Sequence, residues 1–216
     1  MKAKRRCSLP PRVACMVIPC FVFLLTSCAK QGSITWALGA IHQYRNTAEM
    51  SGFNQTNRMA EIVSALHTEE GIGAIASAYQ KTKDDAFKER LLVICWHLTF
   101  HTTQSERGEL AAFLQGILKS ETKPKLRNWA LTDLAYCGLP NLEGFHRKML
   151  KTNDPALWLR GAWGLWKIKS KLSVDDLIDQ VRVRRTNSDF VIEVKQFVSD
   201  DSNQWTTPVL QALNAK

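Results

Sequence analysis

The sequence predicts an all-α fold made of antiparallel helix pairs. Three observations predict it. Apolar residues recur three or four positions apart through most of the chain after residue 57, as the buried face of a helix requires. Polar caps, prolines and glycines interrupt that spacing at short intervals, where helices start and stop. Only Phe190-Val191-Ile192-Glu193-Val194 is rich in strand-forming residues, and it has no second strand to pair with.

The elements follow in order. Ile34, Leu38 and Ile41 share one face of a short helix between Ile34 and Tyr44. Asn57 caps a helix carrying Met59, Ile62, Val63 and Leu66, and Thr68 caps the next, with Ile72, Ile75, Ala76 and Tyr79. Asp84 or Asp85 opens a longer helix with Phe87, Leu91, Ile94, Cys95 and Leu98. Ser105 opens one with Leu110, Phe113, Leu114, Ile117 and Leu118. Pro124 sits in the first turn of a helix with Leu126, Trp129, Ala130 and Leu134, which Gly138 stops. Pro140 starts a shorter one with Leu142, Phe145, Met149 and Leu150. Asp154-Pro155 starts another that runs to Ile168, and Ser173 caps one with Val174, Leu177, Ile178 and Val181. Phe190, Val194, Phe197 and Val198 have helical spacing after Ser188-Asp189, so this segment is read as helix. Pro208 to Ala215 forms a final turn or short helix that caps the end.

First members of successive pairs begin near Asp84, Lys123 and Asp154, and second members near Ser105, Pro140 and Ser173. Leu126-Arg127-Asn128-Trp129-Ala130-Leu131 and Leu159-Arg160-Gly161-Ala162-Trp163-Gly164-Leu165 look alike, each after a proline-containing turn. This pattern resembles HEAT-like repeats over residues 57–184. The resemblance implies a short α-solenoid, in which each helix pair buries its apolar face on the next.

The N-terminus carries an address. Lys2, Lys4, Arg5, Arg6 and Arg12 precede the apolar run Val13 to Leu25, and Leu25-Thr26-Ser27-Cys28 follows. That run is 13 residues long, short of the roughly 20 that span a bilayer as a helix. The whole segment resembles a bacterial lipoprotein signal peptide with its lipobox. The resemblance implies cleavage after Ser27 and a lipid on Cys28, which places the protein in the bacterial cell envelope, anchored to membrane. Ala29 replaces the Asp that retains enterobacterial lipoproteins in the inner membrane, which leaves both inner and outer membrane open. The expected organisation is a cleaved segment 1–27, a lipid-anchored tether 28–56 and a helical-repeat domain 57–216 with a C-terminal cap.

Cleavage changes the charge balance. The whole chain has 29 basic and 20 acidic side chains, a net charge of +9. Five of the basic residues and no acidic one lie in residues 1–27, leaving 24 against 20, or +4. Exported protein of such modest charge is not expected to bind nucleic acid, although HEAT-like folds also occur in DNA glycosylases. Of six cysteines, Cys28, Cys95 and Cys137 remain after cleavage. Cys95 and Cys137 lie in apolar helical patterns and are expected in the core as thiols; a disulfide between them is the alternative in an oxidising compartment.

No catalytic motif is evident. Glu69-Glu70, Asp84-Asp85 and Asp175-Asp176 fall in expected first helical turns, where negative charge favours the helix dipole. His97 and His101 are four apart on one helix face, a spacing that two ligands of one metal use. The sequence shows no third ligand, and no metal or other cofactor is predicted. Basic residues gather near turns, as in Lys123, Lys125 and Arg127 or Lys167, Lys169 and Lys171. The helix over 155–168 holds Trp158, Trp163 and Trp166 on one arc, with Arg160 and Lys167 together on the opposite side, where Gly161 and Gly164 flank them and admit a close neighbour. These five are the candidate partner-binding residues, since Trp and Arg dominate interface hot spots. The expected function is therefore a lipid-anchored scaffold for envelope protein partners, not an enzyme. The alternatives are an envelope enzyme or metal-binding protein using His97 and His101, and an obligate structural subunit of an envelope complex.

Overall fold

A computed structural model describes residues 32–50, 56–201 and 203–214. Cys28 and the segment before it lie outside the described residues. All regular structure among the described residues is helical, in twelve α-helices and one 3₁₀ turn. They are α1 Ile34–Gln43, α2 Thr47–Met50, α3 Thr56–Leu66, α4 Glu69–Lys81, α5 Asp85–His101 and α6 Gln104–Ser120. Then come α7 Pro124–Tyr136, α8 Glu143–Leu150, α9 Pro155–Ile168, α10 Lys171–Arg184, α11 Ser188–Asp200 and α12 Thr206–Asn214. No described helix is long and apolar enough to cross a membrane. The segment 190–194 is helical, inside α11, where Phe190, Val194, Phe197 and Val198 are buried.

Side-chain caps set most helix starts. Thr68 Oγ1 accepts from Gly71 N at 3.2 Å, and Asp84 and Asp154 each accept from the backbone N–H two residues on, at 2.9 Å. Such caps satisfy amides that have no partner inside the helix. Four expected starts shift. Asn57 lies inside α3, which begins at Thr56, and so does not cap it. Thr103, not Ser105, caps α6, because Glu106 completes a capping box with it. Ser170, not Ser173, caps α10: Lys169 turns left-handed (φ 55°) at the end of α9, and Ser170 immediately accepts from Ser173 N. Asp175-Asp176 therefore lies in the second turn of α10, not the first. Asn187 caps α11 through Phe190 N at 2.9 Å. Gly138 ends α7 at φ +60°, and a Cβ there would lie 2.9 Å from the Lys167 carbonyl oxygen. Both the conformation and the close approach require glycine.

Helices two apart in sequence pack on one another: α3 on α5, α5 on α7, α7 on α9, α9 on α11, and likewise α4 on α6, α8 on α10 and α10 on α12. Of the three expected pairs, α9 with α10 is close and the other two are not. α6 lies against α7, and α8 against α9, whereas α5 with α6 and α7 with α8 are not among the close pairs. The repeat of helix starts suggested the other pairing at these two positions, but side chains decide it. Arg127 of α7 donates to the Leu118 and Glu121 carbonyls (2.6 and 3.0 Å), so it closes the C-terminal end of α6. Gly161 and Gly164 bring α9 onto α8, with the His146 ring and Leu150 of α8 filling the space their side chains would take. Glu121 accepts from Tyr79 OH at 3.1 Å and from Lys88 Nζ at 3.3 Å, which ties α4 and α5 to the α6–α7 turn.

Residues 32–50 are not a spacer. Ala37, Ala40, Ile41, Tyr44 and Met50 are buried in the same apolar cluster as α3 to α7. Ala37 and Ala40 let α1 approach α3 closely, whereas the polar residues around them had suggested a tether. A second apolar cluster joins α9 to α12 around Leu165, Trp166, Leu177, Val181, Phe190 and Val194. Cys95 and Cys137 are buried free thiols. Burial pushes both upward, Cys137 to about 12, so neither supplies a thiolate at neutral pH.

Candidate functional site

Alternating packing puts α5, α7, α9 and α11 side by side, and their shared face carries an aromatic row. Trp96 and Phe100 of α5 meet Tyr136 of α7 at ring-centroid distances of 6.0 and 5.5 Å. Tyr136 meets Trp163 of α9 at 4.5 Å, and Trp163 meets Phe197 of α11 at 5.9 Å. The rings lie edge-on or tilted, the arrangement their quadrupoles favour. Phe100 is 53 % exposed. Burial raises the Tyr136 hydroxyl to about 12, so the row is uncharged at neutral pH.

Two recesses open beside this row. One, of about 390 Å³, is walled by Val93, Trp96, Trp129, Tyr136 and Trp163, with Ala48 of α2 at its edge. The other, of about 220 Å³, lies between Leu159, Arg160, Trp163, Glu193 and Phe197. Thr132 and Trp163 line both, so the recesses adjoin. Trp129 is fixed by its indole N–H, which donates to Glu89 Oε1 at 3.2 Å, and Lys125 neutralises Glu89 at 2.8 Å. Arg160 Nε donates to Thr132 Oγ1 at 3.3 Å and its Nη1 to the Ala156 carbonyl at 2.7 Å. It makes no ion pair among the described residues, and burial lowers its pKa despite Asp154 nearby. Three of its five N–H donors are left over by those two bonds.

The structure divides the five expected partner-binding residues. Trp163 and Arg160 stand together on this face. Trp166 does not: it is fully buried in the second apolar cluster, so it is a core residue and offers no surface. Trp158 lies on another side, with its indole donating to the Thr152 carbonyl at 2.6 Å and the Arg184 guanidinium 4.5 Å over its ring. Lys167 borders the row, its Nζ 5.7 Å over the Tyr136 ring, but is paired with Asp201 at 2.9 Å. Trp96, Trp129, Tyr136 and Phe197 were missed as site residues. They sit on three different helices, so only the packing of alternate helices brings them together.

The other sequence candidates lie as follows. His97 is half-buried, and burial and neighbouring His101 lower its pKa. No group of three or more metal-binding side chains occurs among the described residues. The basic residues near turns are largely neutralised: Lys123 by Asp85, Arg147 by Glu143 and Asp176, Lys169 by Asp201 and Lys171 by Asp175. Two other ionisable groups are wholly buried. Asp133 on α7 and His146 on α8 have no side-chain partner among the described residues. Burial pushes the Asp133 carboxyl well up and His146 down to about 4, so both are held neutral.

Protein-family models, characterised proteins and solved structures yield no match to this chain.

Proposed function

We propose that this chain is a lipid-anchored protein of the bacterial envelope whose helical body is a HEAT-like docking module. The observation that carries the docking reading is the aromatic face on α5, α7, α9 and α11, with Arg160 unpaired beside it. Solvent-facing aromatic recesses of this kind anchor protein partners. Packing of alternate helices supports the HEAT-like arrangement, in which successive pairs build one extended face. The lipobox Leu25-Thr26-Ser27-Cys28 supports the anchor. The neutralised cations speak against nucleic acid, and the raised thiols leave no activated nucleophile at Cys95 or Cys137.

Two measurements test this. Cys28→Ala is expected to abolish incorporation of a labelled fatty acid and to move the protein from the membrane to the soluble fraction. Retention of both label and membrane association in that variant rules out the anchor. A photoreactive benzoylphenylalanine installed at Glu193, which lines the groove, is expected to give a discrete protein adduct on irradiation of intact cells. Adducts to lipid alone, or none, rule out the docking reading.

A further inference from the structure

We propose that the groove takes an extended peptide, which inserts a bulky apolar side chain between Trp96, Trp129, Tyr136 and Trp163 and sets a carboxylate on Arg160. The proposal rests on the docking reading and names the partner's chemistry. Three features carry it.

The first is shape. The recesses run across four neighbouring helices, and helices pack about 8–10 Å apart, so the groove is roughly 25–30 Å long. That length suits about eight residues of extended chain at roughly 3.3 Å each. The second is polarity. The larger recess is walled by Val93 and four aromatic side chains, a lining that gains from burying an apolar side chain. A sugar stacks on an open, flat aromatic face. Here the rings meet edge-on, Trp96 on Tyr136 at 88° and Tyr136 on Trp163 at 61°. They form walls, and so favour a side chain that enters over a ring that stacks.

The third is charge. Arg160 is half-buried beside the smaller recess, and its two bonds to neutral oxygens hold the guanidinium in place. The remaining donors match a carboxylate, the geometry at which Arg excels. Two other cations of this surface are matched, Lys125 with Glu89 and Lys167 with Asp201. Glu193 lines the same recess as Arg160. A polyanion would meet Glu193 as well as Arg160, so one carboxylate next to an apolar anchor fits and a run of phosphates does not.

The test is selection of random nine-residue peptides displayed on phage against the full-length protein in detergent micelles. Enriched sequences are expected to carry Trp, Phe or Leu with an Asp or Glu within about four residues, the spacing between the recesses. A synthetic selected peptide should bind about tenfold more tightly than its Asp→Asn form. Arg160→Gln should bind both forms alike, and Arg160→Lys should restore part of the preference. Trp163→Leu should weaken both forms about tenfold. A purely structural role for Arg160 would lower both affinities and keep their ratio, so the ratio is the decisive readout. Absence of enrichment, enrichment without an acidic residue, or an unchanged ratio in Arg160→Gln overturns the proposal. Tight binding of chitooligosaccharides that Trp163→Leu abolishes also overturns it, in favour of a glycan. A protein adduct at Glu193 without peptide selection removes the peptide and leaves the docking module; loss of both removes the two together.

Discussion

Gly164→Ala is expected to cost about 3 kcal/mol of stability, read as a fall in the urea midpoint at unchanged slope. Gly164 is buried on α9, and an added Cβ would land on the imidazole of His146, well inside contact distance. The ring has no room to yield: His146 is wholly buried on α8. Gly161→Ala acts one turn away, where the Cβ would lie 2.8 Å from the His146 carbonyl oxygen and 3.1 Å from Leu150 N. Those are backbone atoms, so α9 as a whole would have to move off α8, at about 2 kcal/mol. Alanine's better helix propensity, worth about 1 kcal/mol, offsets only part of either loss. Gly73→Ala is the internal control. It lies in the exposed interior of α4 with open space where the Cβ would go, and should gain about 0.5–1 kcal/mol. If Gly164→Ala stays within about 0.5 kcal/mol of the parent, the close seam between α8 and α9 does not exist in solution.

This seam shows what could be read from the sequence and what could not. Most helices were legible because local rules set them: Thr68, Asp84 and Asp154 cap, Pro124 and Pro155 start, Gly138 stops; the four-residue α2 carries no such signal and was not. The small residues on α9 also announced a close neighbour. Which neighbour was not legible, because a short loop such as Thr102-Thr103 permits several packings, while Arg127 and the two glycines select one. Likewise Ile34, Leu38 and Ile41 marked α1 as a helix, but its burial under α3 to α5 depends on partners distant in sequence. The candidate site was half legible. The sequence singles out both Trp163 and Arg160, but on opposite sides of the helix; being three apart, they share a side of it and line one recess. Trp96, Trp129 and Phe197 join them only through packing, and Trp166, chemically identical to Trp163, turns inward. Composition counts tryptophans, whereas only the neighbours of each helix decide which of them reach solvent.

Two buried ionisable groups are expected to give the protein an unusual stability profile against pH. In the folded chain His146 keeps its neutral form down to pH about 4, whereas its ordinary value is 6.5. Below pH 6.5 only the unfolded chain takes up that proton, so His146 stabilises fully above 6.5 and its contribution is lost toward pH 4, by about 3 kcal/mol in total. Asp133 acts in the opposite sense. Burial raises it well above its ordinary 3.8, so only the unfolded chain releases that proton as pH rises past 3.8. Its contribution is present below 3.8 and is lost as pH rises toward its folded value. Above pH about 4 the two differences oppose one another for as long as Asp133 stays protonated in the folded chain, because the unfolded chain gains one proton and loses one. Each variant should expose the other group. His146→Phe, which keeps a planar ring and removes two unpaired nitrogens, should make stability fall steadily from pH 4 upward. Asp133→Asn should make it rise by about 3 kcal/mol from pH 4 to 6.5 and then level off. Urea unfolding of the three proteins at half-unit pH steps measures this directly. Parallel profiles for parent and both variants would mean that neither group is held neutral in the folded chain.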